Sequence, residues 1–561
     1  MHTLLNLRPT VIIPLIAGIG LLVVGRLRPG LGSGWFKIIE ARLGVLARRR
    51  VLSAVLLGLA PIVLRLALLP VYGPPIPTVH DEFGYLFIAD TLLHGRLANP
   101  PHPYPEFFES TYIIQSPTYS SYYPIGIGLT LAAGRILFHH PWGGVLLFCG
   151  LMCAGVYLML LAWVTPGWAF LGGALTVMNM GVLSPWSNSY WGGAPAAVAG
   201  CLIFGALPRL IDCASAWNGL LLGIGLSYLA LIRPFETALL GPCLLAFVLL
   251  HRDAVYAGKF RGKLALLALG LLPGIYVILL NNHAVTENWT ELPYALYRYQ
   301  YGVPQTFSFQ TAAVPHHSLT PEQRSMYEWQ LKARNSVMTA GGWLHEMPSR
   351  VDTIHLFLGA ALTPVLFFLP FSLTDRRRWW ALGTVMFAFL GGSVYGFFNP
   401  PYVADLIGLF LLLGIICMMR LNEVPWGRTA VRLMVSLSIV TFVAFYGFDS
   451  IRQSLPASVQ RDPGLIRDLP PLSEPTARSQ VIDYLQRAGQ KHLVFVDYMP
   501  KHEIHREWVF NAADIDSARV VWARDLGPEK DTVLMNYYRD RDVWRVNVGS
   551  EKEPAQLFRV R

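Results

Sequence analysis

Apolar residues in this chain gather in long runs, separated by loops that are either short and basic or long and rich in aromatics. A helix needs roughly 20 apolar residues to cross the hydrocarbon of a bilayer. Runs at 10–25, 51–72, 143–164, 168–183, 190–207, 217–233, 235–251, 264–281, 354–373, 380–398, 403–419 and 430–447 approach that length. A further run, 124–138, is short and carries Arg135. The pattern predicts an α-helical polytopic membrane protein with about twelve spans. Arg26 and Arg28 follow the first run rather than precede it, so a retained helix is expected there, not a cleaved signal.

Lys and Arg sort the loops. One basic loop is 26–50, with Arg26, Arg28, Lys37, Arg42, Arg48, Arg49 and Arg50. Others hold Arg252, Lys259, Arg261 and Lys263; Arg376, Arg377 and Arg378; and Arg420, Arg428 and Arg432. Positive residues stay on the cytoplasmic side, so loops 73–123 and 282–353 and the tail from about 448 should face outward. Six crossings must then separate residues 123 and 282, yet seven apolar runs lie between them. The run 124–138 is therefore expected to be re-entrant or interfacial.

The tail changes character. His492-Leu-Val-Phe-Val-Asp497, Ala518-Arg-Val-Val-Trp522 and Val543-Trp-Arg-Val-Asn-Val548 read as strands, with helices at 474–488 and 528–539. Pro456, Pro463, Pro470, Pro471 and Pro475 mark a linker before them. Three parts are expected: an N-terminal helix and basic loop at 1–50, a membrane body at 51–447, and a small extracytoplasmic α/β domain at 448–561.

Composition agrees. Of 561 residues, 53% are hydrophobic and 14% charged, and mean hydropathy is +0.42. The net charge of +10 sits beside apolar runs, which orientation and anionic membrane lipids explain better than nucleic acid, so no nucleic-acid partner is expected. All six cysteines (Cys149, Cys153, Cys201, Cys213, Cys243, Cys417) lie in or beside apolar runs, so no disulfide framework is expected. Cys149 and Cys153 are four apart, but no further ligand accompanies them for zinc. His316-His317 reads as a surface pair, since adjacent histidines point apart in most backbones.

The chemistry centres on His80-Asp81-Glu82, two adjacent carboxylates where an apolar span gives way to a polar loop. Residues 81–95 read as an amphipathic helix lying on the bilayer. Asp81 and Glu82 could serve as base at the membrane surface, or simply complement the helix dipole. Asp90 falls about half a turn out of phase with Asp81. Arg65, Arg135 and Arg233 lie in or beside apolar runs, where a charge costs several kcal/mol unless paired or snorkelling. A lipid phosphate would suit Arg233, as would Glu236 one turn on. Asn188, Tyr190 and Trp191, followed by two glycines, could stack a sugar or sit in an interfacial aromatic belt. The loop 282–353 adds Arg298 and a cluster of tyrosines. The tail lacks a nucleotide-binding glycine fingerprint. Its acids Asp497, Glu507, Asp514 and Asp516 could form a site or a solvated face, and the tail is expected to position an acceptor.

An N-terminal helix pair followed by His80-Asp-Glu-Phe-Gly-Tyr-Leu-Phe-Ile-Ala-Asp90 and an aromatic-rich loop resembles the GT-C superfamily of integral-membrane glycosyltransferases. Protein O-mannosyltransferases and lipid A aminoarabinose transferases are its nearest familiar branches. Tyr122-Tyr-Pro-Ile-Gly-Ile-Gly128, Leu231-Ile-Arg-Pro234 and Asn399-Pro-Pro-Tyr402 extend the likeness loosely. Asn188-Ser-Tyr-Trp-Gly-Gly193 and Glu507-Trp-Val-Phe-Asn-Ala-Ala-Asp-Ile-Asp516 resemble motifs of an uncharacterised bacterial branch. The resemblance implies Asp81 as base with Glu82 second, and a polyprenyl-phosphate sugar as donor. It implies a lipid, glycan or protein acceptor and a site built from His80, Tyr85, Tyr123, Asn188, Tyr190, Trp191, Arg233, Glu236, Arg298 and Arg65. The aminoarabinose branch has a basic residue three after the Glu, where this chain has Tyr85, so that sugar is not implied. No metal ligand set is expected, although a divalent cation is compatible with the acids.

The expectation is a bacterial inner-membrane glycosyltransferase, inverting, with its site and tail on the periplasmic side. A transporter or flippase for a lipid or anionic solute is the alternative, and a non-catalytic scaffold a third.

Overall fold

The structure, a computed structural model, describes residues 9–212, 215–253, 260–304, 307–351, 353–451, 476–500, 502–549 and 555–561. Cys213, Lys259 and the linker prolines Pro456, Pro463, Pro470, Pro471 and Pro475 lie outside the described residues.

Six of the described helices are long and apolar enough to cross a membrane, as befits a multi-pass membrane protein. They are α3 (Arg50–Ala67), α6 (Pro141–Leu160), α8 (Gly193–Asp212), and helical stretches within Arg261–Thr286, Pro400–Asn422 and Pro425–Phe448. Shorter apolar helices fill three further runs, α1 (Pro9–Leu27), α9 (Trp217–Ile232) and α10 (Pro234–Leu250), and the helix Arg376–Gly392 covers the first part of the run 380–398. Two expected spans are irregular. The run 168–183 is α7 (Pro166–Thr176) ending in a π turn at Val177–Gly181. The run 354–373 is broken at Gly359, whose φ of +87° suits glycine, into Thr353–Leu358, Thr363–Phe368 and Leu369–Ser372. Phe357, Leu362 and Val365 there are fully buried, and broken backbone at membrane depth is tolerated where protein covers it.

The helix at 407–422 runs through the centre of the bundle, with Ile407, Leu409, Leu411, Ile415, Cys417 and Met418 all inaccessible. Leu269, Leu272, Tyr276, Val440 and Val443 instead point outward on peripheral helices, as lipid-facing residues do.

Helix α4 (His80–Leu93) and helix α5 (Ile125–Phe138) pack against each other, joined by a loop pinned by a two-residue ladder between β1 (Ile113–Ile114) and β2 (Ser120–Ser121). The 14 residues of α5 give about 21 Å, short of the hydrocarbon thickness. Beyond its C-terminus, Trp142 Nε1 donates to the Ser187 carbonyl at 2.8 Å, near the end of α3 that carries Arg65.

Residues after 476 form a four-stranded sheet, in the order β4 (Val520–Arg524), β3 (His492–Tyr498), β5 (Asp542–Val548), β6 (Gln556–Arg559). The first three strands are parallel, and β6 is antiparallel to β5. Helix Ala477–Arg487 precedes β3 and helix Pro528–Tyr537 joins β4 to β5, so the parallel strands are linked by crossovers. Leu493, Val521 and Val543 align across the sheet, all fully buried.

Charged contacts sort the two ends of the bundle. At one end Arg432 forms two bonds to Glu40, Arg377 forms two to Asp212, and the Gly30 amide donates to Thr429. At the other end the loop 73–123, the helices of 293–337 and the C-terminal sheet interlock.

Candidate functional site

Helix α4 starts with its two carboxylates facing different ways. Successive helical residues are rotated by about 100°. Glu82 is buried, and its Oε2 accepts from the amides of Thr78 at 2.9 Å and Val79 at 3.4 Å. Its Oε1 accepts from the Tyr190 amide at 3.1 Å. Burial pushes the Glu82 carboxyl up, and the backbone donors oppose that. Glu82 thus ties the helix start to the Ser189–Trp191 segment. Tyr190 completes the tie by donating its phenol to the Pro75 carbonyl at 2.9 Å.

Asp81 points instead into a cavity of about 330 Å³ and accepts a hydrogen bond from the Tyr123 phenol. Burial, reinforced by Asp81, holds that phenol well above its usual pKa, so it stays a donor. Gly84 permits the approach: a Cβ there would meet the Tyr123 ring at 2.7 Å. Tyr85, Tyr122 and Tyr112 pack around the Tyr123 ring, tilted or edge-on, with centroids 4.5, 4.3 and 5.8 Å away from it.

A second cavity of about 500 Å³, mostly apolar, lies alongside. Leu231, Leu239, Ile278, Ala388, Phe398 and Leu406 supply its apolar wall. Tyr85, Tyr122, Tyr123, Arg233, Tyr395 and Tyr402 line both cavities, so Arg233 stands where the two meet. Arg233 ends α9, and Pro234 at the first turn of α10 fixes the break there. Its guanidinium lies over the Tyr402 ring at 4.8 Å, and its Nε is buried with no hydrogen-bond partner. Glu236 lines the apolar cavity and acts on Arg233 electrostatically, with no ion pair between them among the described residues. Arg298 lines the same cavity and donates to Gln310 Oε1 at 3.1 Å.

Arg65 is placed elsewhere. It is 1% exposed, and its guanidinium donates to Asn188 Oδ1 at 2.6 Å and to the carbonyls of Tyr72 at 3.1 Å and Gly73 at 2.8 Å. Trp142 covers it at 4.6 Å. Asn188 spends its amide on Val182, Ser184 and Ser187. Neither residue lines either cavity. Trp191 does line the Asp81 cavity, and its indole Nε1 is buried without a partner.

The sequence reading passed over three residues here. Asp405, 4% exposed, lines the apolar cavity, and Gly200 lets α8 pack against it, since a Cβ there would sit 1.8 Å from its carbonyl oxygen. A lone acid inside the run 403–419 was a usable signal. Trp329 and His505 line the Asp81 cavity, and nothing in their local sequence announces it.

The motif Glu507–Asp516 is where the sheet docks on α4. His80 Nε2 lies 2.7 Å from the Ile504 carbonyl, and its Nδ1 is 3.6 Å from Glu507. Glu507 is buried and accepts from the Tyr498 phenol and from the amides of Trp508 and Val509, both at 2.9 Å. Phe510 packs on Phe83 at 4.6 Å and Phe87 at 6.2 Å. Asp90, on the far side of α4 from Asp81, accepts from the Ala513 amide at 2.7 Å. Asp516 accepts from the Tyr537 and Tyr538 phenols and lies 3.3 Å from His102.

Among the described residues no group of three or more His, Cys, Asp or Glu is arranged to hold a metal ion. His316 Nδ1 lies 2.9 Å from the Tyr299 carbonyl, whereas His317 lies 3.3 Å from the buried Glu109.

No protein-family model matches the chain. No curated protein matches it. In overall fold the chain is similar to ArnT from Cupriavidus metallidurans, solved bound to undecaprenyl phosphate. The TM-score is 0.48 and identity 12%, over 87% of this chain and 92% of that one. It is also similar to the archaeal oligosaccharyltransferase AglB from Archaeoglobus fulgidus, solved with an inhibitory peptide and a dolichol-phosphate. There the TM-score is 0.35 and identity 10%, over 87% of this chain and 69% of that one.

Proposed function

We propose that the chain is an inverting glycosyltransferase that moves a sugar from a polyprenyl-phosphate donor to an acceptor hydroxyl. The observation that carries this reading is Arg233, with its unpartnered buried Nε, standing between an apolar cavity and a chamber that holds Asp81. An isoprenoid tail needs the apolar cavity, its phosphate needs a cation at the mouth, and the sugar then projects into the chamber. Asp81 takes the proton of the acceptor hydroxyl. The acceptor oxygen bonds to the anomeric carbon as the carbon–oxygen bond to phosphate breaks. The electron pair leaves on the phosphate, whose charge Arg233 stabilises. Tyr123 orients the Asp81 carboxylate by donating to it. Glu82 holds the helix start rather than taking the proton, and Arg65 with Asn188 braces the end of α3.

The long and short apolar helices together would make about twelve crossings. The sheet and the site would lie on the periplasmic side of a bacterial inner membrane, opposite the basic loops. The test is sugar release from a radiolabelled polyprenyl-phosphate sugar by the purified protein mixed with membranes of the source organism. Absence of release, together with no stabilisation by undecaprenyl phosphate, would refute the reading.

A further inference from the structure

We infer that the C-terminal unit supplies the acceptor-side wall of the Asp81 chamber through His505, and that the acceptor presented there is a carbohydrate. This rests on the transferase reading above.

The two cavities divide the lining residues. His505, Trp329, Trp191, Asn399, Phe397 and Met326 line the Asp81 chamber but not the apolar cavity. They are thus on the part of the chamber away from the lipid. His505 is the one residue among them that comes from beyond the membrane body.

The segment carrying His505 is fixed on both sides. Before it, the Ile504 carbonyl is engaged by His80 at 2.7 Å. After it, Glu507 is buried under three donors. The His505 amide donates to Glu503 Oε1 at 3.3 Å. The ring itself stands edge-on to Trp329, centroids 4.6 Å apart at 82°. Its nitrogens have no hydrogen-bond partner among the described residues. The fold therefore positions this imidazole without using it.

The chemistry of the chamber selects the ligand. Burial, with His80 nearby, lowers the His505 pKa, which keeps the ring neutral near pH 7. A neutral imidazole has one donor and one acceptor, which matches a hydroxyl. Trp191 offers a further unpartnered donor. Trp329, Phe397 and Tyr112 give apolar faces on which the carbon skeleton of a sugar ring can lie. Among the described residues that line the chamber, Arg233 is joined by no Lys or second Arg, so the described wall offers a phosphorylated or carboxylated acceptor no further counter-charge.

The experiment uses the full-length protein in detergent, with radiolabelled polyprenyl-phosphate sugar as donor and membranes of the source organism as acceptor. His505→Ala should raise the apparent KM for acceptor membranes at least tenfold and leave the KM for donor and the stabilisation by undecaprenyl phosphate within twofold. His505→Gln, which keeps a donor and an acceptor, should recover much of the loss. Periodate treatment of the acceptor membranes, which cleaves vicinal diols, should abolish transfer, whereas protease treatment should not. Normal transfer by the His505→Ala variant, or an equal loss in donor KM, would overturn the assignment of His505. A melting temperature lowered as far as by Phe510→Ala would also overturn it, by making the ring a packing element. Transfer that survives periodate and is lost to protease would overturn the carbohydrate assignment. A wild-type protein that neither binds undecaprenyl phosphate nor releases sugar would instead fail the transferase reading, and this inference with it.

Discussion

Asp81 and Glu82 are neighbours in sequence, yet one faces a cavity and the other is used up by backbone amides. Sequence alone marked both as candidates, because an acidic pair directly after an apolar run is visible without a fold. It could not separate them, because the Tyr190 amide and the Tyr123 phenol arrive from over 40 residues away. Asp81→Asn keeps the shape and removes the proton acceptor. Sugar transfer should fall about a hundredfold or more with the melting temperature nearly unchanged. In Glu82→Gln an amide N–H₂ must face a backbone N–H, so the expected loss is stability, about 1–3 kcal/mol, read by thermal unfolding. Near-normal transfer in a folded Asp81→Asn protein would move the base elsewhere. Arg65 and Arg233 looked alike in sequence for the same reason, since Asn188 and Trp142, which engage Arg65, come from distant parts of the chain. Arg233→Ala should weaken undecaprenyl phosphate binding by about 1.5–3 kcal/mol. Arg233→Lys should weaken it less, because the charge remains while the two-pronged geometry is lost. Unchanged binding in both would leave Arg233 as a counter-charge to Glu236 alone.

At the scale of elements, α4 is a shared wall: Asp81 looks into the membrane body, and Phe83, Phe87 and Asp90 look into the C-terminal sheet. Three of the four strands of the sheet were legible, because short β-branched and aromatic runs need no distant context, although β4 starts two residues later than expected and β6 was not anticipated. The broken helix at 353–372 and the π turn at 177–181 were not, because hydropathy averages over a backbone break. The docking face also carries a pH-sensitive joint. His102 is buried between Phe108 and Tyr538, receives the Tyr104 amide on Nδ1 at 3.0 Å, and sets Nε2 3.3 Å from Asp516. Burial lowers its pKa despite Asp516. The folded form thus binds fewer protons than the unfolded one, so this group's stability is present above about 6.5 and is lost as pH falls below it. His317, raised by Glu109, works in the opposite sense, so the test must isolate His102. The melting-temperature gap between wild type and His102→Gln should be wider at pH 7.5 than at pH 5.5. A gap that is constant or widens on acidification would contradict the argument.

At the scale of the whole molecule, the bundle has a basic end and an aromatic, sheet-capped end. The ion pairs Arg432–Glu40 and Arg377–Asp212 close the first. The contacts of His80, Glu109 and Trp329 with the tail or the 293–337 helices close the second. A phosphate-linked sugar made inside the cell and presented outside would meet Asp81 only if the second end faces outward. Segregation of Lys and Arg sets that orientation in inner-membrane proteins. The five described cysteines are all buried, and Cys213, outside the described residues, is replaced by Ser before labelling. Ser517, exposed on the tail, and Gly34, exposed in the first turn of the helix Ser33–Arg48 at the basic end, are suitable positions for a single introduced cysteine. In intact cells a membrane-impermeant maleimide should label Ser517→Cys and leave Gly34→Cys untouched until the membrane is opened. The reverse pattern would put Asp81 and Arg233 at the cytoplasmic surface. The proposed reaction would then have to use a cytoplasmic acceptor, and the positive-inside reading of the four basic loops would be wrong. Labelling of both in intact cells would mean the two positions share a side. An odd number of crossings could then not separate Gly34 from the tail, which would remove one of the spans counted between them.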